Sequence, residues 1–178
     1  LKTWGSILTE SPESKLVIKT TYSEDPEFRE YIFRYLKCHR SVRDRVLFAE
    51  KMTRNEHMRW FNTIDLVLDT FPYNGTTSTF ESLVMGCPVV TLAGVVHRAR
   101  VGASILSSIG EDDFVCNSVD SYISKAVELS FHRESIDRRK ALSLKVFNDS
   151  AEKESSFSRA FIDLFNKANS QGAATLGG

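Results

Sequence analysis

The sequence predicts an α/β fold, a doubly wound parallel sheet of about five strands with extra helices at the C-terminal end. Three observations predict it. Short apolar runs without polar alternation, such as 16–18, 46–48, 64–68 and 88–92, read as strands buried on both faces, the mark of a parallel sheet. Segments with apolar residues at i, i+3 and i+4 lie between them and read as helices. One junction, residues 64–86, passes from apolar run to turn to helix, as at the ligand edge of such sheets.

The elements follow in order. Leu1, Trp4, Ile7 and Leu8 give helical spacing over 1–8, and 10–14 is a turn around Pro12. A strand is expected over 15–22. Pro26 opens a helix to about residue 39, striped by Phe28, Tyr31, Ile32, Tyr35 and Leu36. A short strand follows at 45–49 and a helix at 54–61. The apolar run 64–68 leads into a turn broken by Pro72, Asn74 and Gly75, then into four hydroxyls, Thr76, Thr77, Ser78 and Thr79. A helix over 80–85 ends at Gly86. The strand 88–92 ends at Gly94, a helix over 98–109 is closed by Gly110, and 114–116 is a last short strand. Helices are expected over 118–131, 134–147 and 152–168, and a disordered tail over 170–178. The domain thus runs over 1–169.

Composition narrows the function classes. The 178 residues suit one domain, and 42% hydrophobic with 26% charged residues is ordinary for a soluble globular chain. Lys plus Arg balances Asp plus Glu at 23 each, which argues against a dedicated nucleic-acid surface. No apolar run is long enough to span a bilayer, and no signal peptide is visible. Cys38, Cys87 and Cys116 are far apart without zinc spacing, so free thiols in a reducing, cytoplasmic setting are expected. The four histidines, His39, His57, His97 and His132, have no metal-ligand spacing either, and of these His57 and His97 each follow a strand near a helix start. P-loop, G-x-G-x-x-G and G-x-S-x-G patterns are absent, against an ATPase, a dehydrogenase or a serine hydrolase.

The turn before residue 80 is the candidate site. A helix N-terminus offers free N–H groups and the positive end of its dipole, which suits an anion, here the diphosphate of a sugar nucleotide. One hydroxyl of the row caps the helix, and the others exceed that need. Ser78 and Glu81 fit the S-x-x-E capping box. Spacing leaves Glu81 two roles, a cap on the backbone at Ser78 or an acceptor for a ribose diol. Asp69 is expected to bond the turn backbone rather than act as a nucleophile.

Residues 65–81 (DLVLDTFPYNGTTSTFE), 86–94 (GCPVVTLAG) and 100–104 (RVGAS) resemble the C-terminal catalytic half of the O-GlcNAc transferase/SPINDLY family, its bacterial members most of all. The likeness runs from residues 1–4 through 14–16, 45–48 and His57 to the C-terminal helices. It implies one Rossmann-like half of a GT-B glycosyltransferase, a fragment of a longer protein with an N-terminal half and tetratricopeptide (TPR) repeats. The implied donor is a nucleotide sugar, UDP-GlcNAc by family default, while plant SPINDLY relatives use GDP-fucose. The implied acceptor is a Ser or Thr of a protein, with no metal, nucleic acid or membrane involved. By position, His57 packs on the base, Met52 bonds it through its backbone, and Arg54 is a basic neighbour. Asn74, Gly75, Thr76, Thr77 and Ser78 form the diphosphate turn, where animal members carry His-Thr-Thr, and Glu81 holds the ribose. Trp60 stands where animal relatives have Arg. The family's lysine that supplies positive charge lies before Leu1 and its acceptor-side histidines lie in the other half, so the isolated chain is expected to be inactive and to bind nucleotide weakly at best. A non-catalytic nucleotide-sugar module and another GT-B enzyme remain alternatives.

Overall fold

The computed structural model describes residues 1–36 and 40–132, with positions 137 and 141. Nearly all of the helix expected over 134–147 lies outside them, as do the helix over 152–168, the tail 170–178, and Cys38.

The elements are α1 (Lys2–Glu10), β1 (Leu16–Lys19), α2 (Pro26–Leu36), α3 (Arg40–Arg43), β2 (Val46–Ala49), α4 (Arg54–Trp60), β3 (Val67–Leu68), α5 (Thr77–Val84), β4 (Val89–Leu92), α6 (Val101–Ser108), β5 (Val115–Cys116) and α7 (Val119–Phe131). Short 3-10 turns stand at Phe61–Thr63, His97–Ala99 and Asp112–Phe114. The strands pair in parallel, as the continuous apolar runs imply. β1 pairs with β2, with Leu16 opposite Val46 and Lys19 opposite Ala49. β3, β4 and β5 form a second ladder, with Val67 opposite Val89 and Thr91 opposite Val115. The architecture is therefore the expected α/β, Rossmann-like doubly wound one, with its ladder in two segments among the described residues.

Val89, Val90 and Thr91 are consecutive and each at most 1% exposed, so both faces of β4 are covered. Two apolar clusters result. One gathers Leu83, Val89, Val90, Leu106, Phe114 and Tyr122 around β4. The other gathers Leu8, Ile32, Leu36, Val42 and Val46 around β1 and β2. Helix α1 joins them: Ile7 belongs to the first, Leu8 to the second, and Trp4 packs on both. Helices α5 and α6 stop where the chain can turn, at Gly86 and Gly110, both with positive φ.

Several boundaries differ from the sequence expectation: the strand over 15–22 is Leu16–Lys19, the run 64–68 pairs only at Val67–Leu68, and α3 adds a turn of helix before β2. Helix α5 begins at Thr77, not near Phe80, because the hydroxyl row forms its first turn instead of the loop before it. The helix expected over 98–109 is a 3-10 turn followed by α6.

The end of α1 depends on one side chain. Arg45 donates to the carbonyls of Leu8 (2.6 Å), Ser11 (2.9 Å) and Ser14 (2.8 Å). The Leu8 and Ser11 carbonyls lie at the helix end and that of Ser14 in the turn after it, and a guanidinium is favoured at the negative end of the dipole. The residue then starts the approach to β2, since Leu16 N donates to Arg45 O at 2.9 Å. Arg45→Ala should lower stability by about 2–3 kcal/mol, the scale of charge-assisted hydrogen bonds lost from a half-buried group. Urea unfolding with an unchanged slope would register this as a lower midpoint.

Candidate functional site

The site is built on the turn after β3. Asp69 is 4% exposed. Its Oδ1 accepts from Gly75 N (2.7 Å), its Oδ2 from Thr91 Oγ1 (2.7 Å), and its carbonyl from Tyr122 Oη (2.9 Å). One residue thus ties the turn to β4 and α7. The expectation that Asp69 bonds the turn backbone holds, and its bonds to Thr91 and Tyr122 extend it. Burial pushes the Asp69 carboxyl above the usual carboxylate range, against its bonds to Thr91, Gly75 and Thr70. Burial also pushes the Tyr122 phenol up. The turn contains a cis peptide bond between Phe71 and Pro72. Asn74 is 1% exposed: its N donates to Arg98 O (2.9 Å), its Nδ2 donates to Thr70 O (2.9 Å), and its Oδ1 has no hydrogen-bond partner among the described residues.

The turn leads into the N-terminus of α5. Thr76 is the N-cap residue, yet its side chain makes no capping hydrogen bond. Thr79 Oγ1 donates back to Gly75 O at 2.9 Å, which leaves Thr76, Thr77 and Ser78 exposed at the helix start. The capping box expected between Ser78 and Glu81 is absent. With α5 starting at Thr77, Glu81 is its fifth residue, a turn too late to reach the cap. Glu81 is 8% exposed, and its carboxylate turns to α4 instead.

Helix α4 meets it there. Thr53 and Glu56 form a complete capping box, with Glu56 N donating to Thr53 Oγ1 and Thr53 N to Glu56 Oε2 (2.8 Å). That cap, which the sequence reading passed over although T-x-x-E is its signature, sets the helix so that His57 faces α5. His57 Nε2 lies 3.2 Å from Glu81 Oε2, and Arg54 Nη1 lies 3.6 Å from Glu81 Oε1. Trp60 and Phe61 flank the imidazole, at 6.2 Å and 5.0 Å between ring centroids. Met52 is half-buried one residue before the cap.

The structure therefore gathers Arg54, His57 and Glu81 beside the open start of α5, where Thr76, Thr77 and Ser78 stand. Asn74 and Gly75 sit beneath, and their bonds hold the turn in shape. His97 lies exposed in a 3-10 turn, apart from these contacts. The sequence reading missed Lys19, whose Nζ lies 2.7 Å from His57 Nδ1. Burial lowers the Lys19 ammonium from its ordinary range, and the charge of Glu81 opposes that. Its position at the end of a parallel strand was the available signal.

Known proteins resemble this chain over most of its length. The family model described as glycosyl transferase family 41 matches residues 1–161. The chain is 37% identical to a SPINDLY protein of Solanum lycopersicum over 131 residues, which is 73% of this chain and 14% of that protein. It is 30% identical over 132 residues to the UDP-N-acetylglucosamine–peptide N-acetylglucosaminyltransferase of Caenorhabditis elegans, covering 72% of this chain and 11% of that one. Among solved structures it resembles a mutant of Thermobaculum terrenum O-GlcNAc transferase, with a TM-score of 0.81 and 28% identity over 93% of this chain and 32% of that one. The chain thus spans 14% of the length of the SPINDLY relative.

Two predictions test the Asp69 clamp. A carboxyl whose folded-state value is raised contributes stability that is full below the unfolded value and lost as pH rises through the folded one. Asp69→Asn, which cannot ionise, should therefore gain on the parent as pH rises from about 3 to about 7. Urea midpoints for both proteins across that range measure the difference, and a constant one would contradict the raised value. A Cβ on Gly102 would overlap Asp69 Oδ2 and Thr91 Oγ1. Gly102→Ala should thus destabilise by roughly 1–3 kcal/mol through overpacking, read as a lower thermal midpoint.

Proposed function

Since the chain belongs to glycosyl transferase family 41, we propose that it is the donor-binding half of a glycosyltransferase that moves GlcNAc from UDP-GlcNAc to a Ser or Thr hydroxyl of a protein. The observation that carries this reading is the uncapped start of α5 beside a carboxylate that faces α4 instead of the cap. An open helix N-terminus favours a diphosphate, and the hydroxyls of Thr76, Thr77 and Ser78 add donors. Glu81 accepts from the ribose diol. His57 packs on the base, with Arg54 and the backbone of Met52 beside it.

In transfer, the bond from the sugar to the diphosphate breaks as the acceptor oxygen bonds to the sugar carbon. Negative charge collects on the departing nucleoside diphosphate. Donors and a helix dipole already aimed at that position stabilise the charge without reorganising. The groups that deprotonate and position the acceptor belong to an N-terminal half of the enzyme, with TPR repeats further upstream. Alone, the 178-residue chain is expected to bind donor weakly and to transfer no sugar. The reading carries a cytoplasmic location with it, in keeping with the buried free thiols of Cys87 and Cys116. No helix among the described residues is long and apolar enough to cross a membrane.

A thermal-shift series with UDP, GDP and AMP tests the site. At a ligand concentration roughly 100 times Kd, binding to the native state alone adds about 2.7 kcal/mol, or a rise of about 5–10 °C in Tm for a chain of this size. UDP should produce such a rise and AMP none. Glu81→Ala should weaken UDP binding by about tenfold or more, the scale of a hydrogen bond to a charged group. A response to GDP alone would keep the site and replace the donor. No response to any nucleotide would overturn the site.

A further inference from the structure

Lys19 ends β1 at the edge of the sheet where its strands finish, and the nucleotide contacts above give it no part. Its Nζ lies 2.7 Å from His57 Nδ1 and 5.8 Å from the centroid of the Trp60 ring. The other imidazole nitrogen, Nε2, faces Glu81 Oε2 at 3.2 Å. Three elements, β1, α4 and α5, therefore meet in one chain of polar contacts. Arg54 from α4 is the other charged group facing this carboxylate, 3.6 Å from Oε1.

The protons in this chain can be placed by donor and acceptor count. An ammonium has only donors, so the Nδ1 it meets must be bare. A carboxylate has only acceptors, so the Nε2 that faces it must carry the proton. Neutral His57 in its Nε2–H form meets both conditions. The opposite tautomer sets an N–H against the ammonium and a lone pair against the carboxylate. The imidazolium satisfies Glu81 but still sets Nδ1–H against Lys19.

We propose that Lys19 is a positioning residue that keeps His57 Nδ1 bare, holding the ring as a neutral Nε2–H donor to Glu81 Oε2. The other oxygen, Oε1, faces Arg54 Nη1 at 3.6 Å and is the one this reading assigns to a ligand hydroxyl. The consequence for ligand binding rests on the reading of Glu81 as the diol acceptor; the proton placement does not. The half-burial of Lys19 against aromatic surface strengthens the contact, because water competes less for its donors.

Nitrogen NMR of the imidazole of His57 tests this, at about pH 6.5, where an ordinary histidine is half protonated. In the parent chain Nδ1 should read as bare and Nε2 as protonated. In Lys19→Met a measurable fraction of Nδ1 should become protonated, as an imidazolium paired with Glu81. Lys19→Arg, which keeps a charged donor, should return it to the bare state. Lys19→Gln serves in place of the methionine variant if that one does not fold. A protonated Nδ1 in the parent, or no change in the variant without the ammonium, would overturn the proposal. UDP affinity is the second readout: a loss of about tenfold in Lys19→Met, restored in Lys19→Arg, is expected for one charge-supported contact. Where the parent binds UDP, an unchanged affinity in Lys19→Met would overturn the positioning role. A parent that binds no nucleotide overturns the donor-site reading, while the NMR result still decides the proton placement.

Discussion

A carboxylate buried at the end of β3 has to be fully hydrogen-bonded or it costs several kcal/mol, and Asp69 meets that demand by holding three elements at once. Its two oxygens take Gly75 N and Thr91 Oγ1, and its carbonyl takes the Tyr122 hydroxyl. The first bond folds the turn back on the strand. The second fixes that turn to the neighbouring strand β4, and the third fixes it to α7. Gly102 on α6 leaves the space the carboxylate occupies. These contacts hold the turn, and through it they set where α5 starts.

What the turn positions is an exposed backbone. Side chains cover the first N–H groups of α4 and α7, through Thr53 and Ser118, while α1, α5 and α6 start without such a cap. At α5 no side chain does so. The residue four positions after the first, Glu81, points across to His57 and joins the β3–β5 part of the fold to the β1–β2 part through α4. Lys19 extends that junction into β1. The polar chain thus crosses between two apolar clusters that α1 also bridges through Trp4. A ligand at this junction would contact both parts, which is why its binding is expected to stabilise the whole chain.

Much of this was legible from residue order. The unbroken apolar runs announced parallel strands, and Gly86 and Gly110 marked where α5 and α6 stop. The role of Asp69 followed from turn chemistry. The two capping motifs show where such reading fails. S-x-x-E at 78–81 and T-x-x-E at 53–56 are the same signature, and only the second forms a box. The deciding fact is where each helix begins, which the tertiary fit of the turn sets and local spacing does not. Lys19 escaped notice because its partner lies 38 residues away, a pairing created by the parallel crossover. The 3-10 turns at Phe61–Thr63 and His97–Ala99 carry no strong periodic signal, so they merged with neighbouring helices in the sequence pattern.

If the open start of α5 and the Glu81 carboxylate form one nucleotide-diphosphate site, a bound nucleotide has to touch both. A crystal structure of the chain with UDP measures this directly. Diphosphate oxygens are expected within hydrogen-bond distance of the backbone N–H groups of Thr77 and Ser78, with the ribose hydroxyls on Glu81. A nucleotide bound elsewhere, or a start of α5 left empty in its presence, would contradict it.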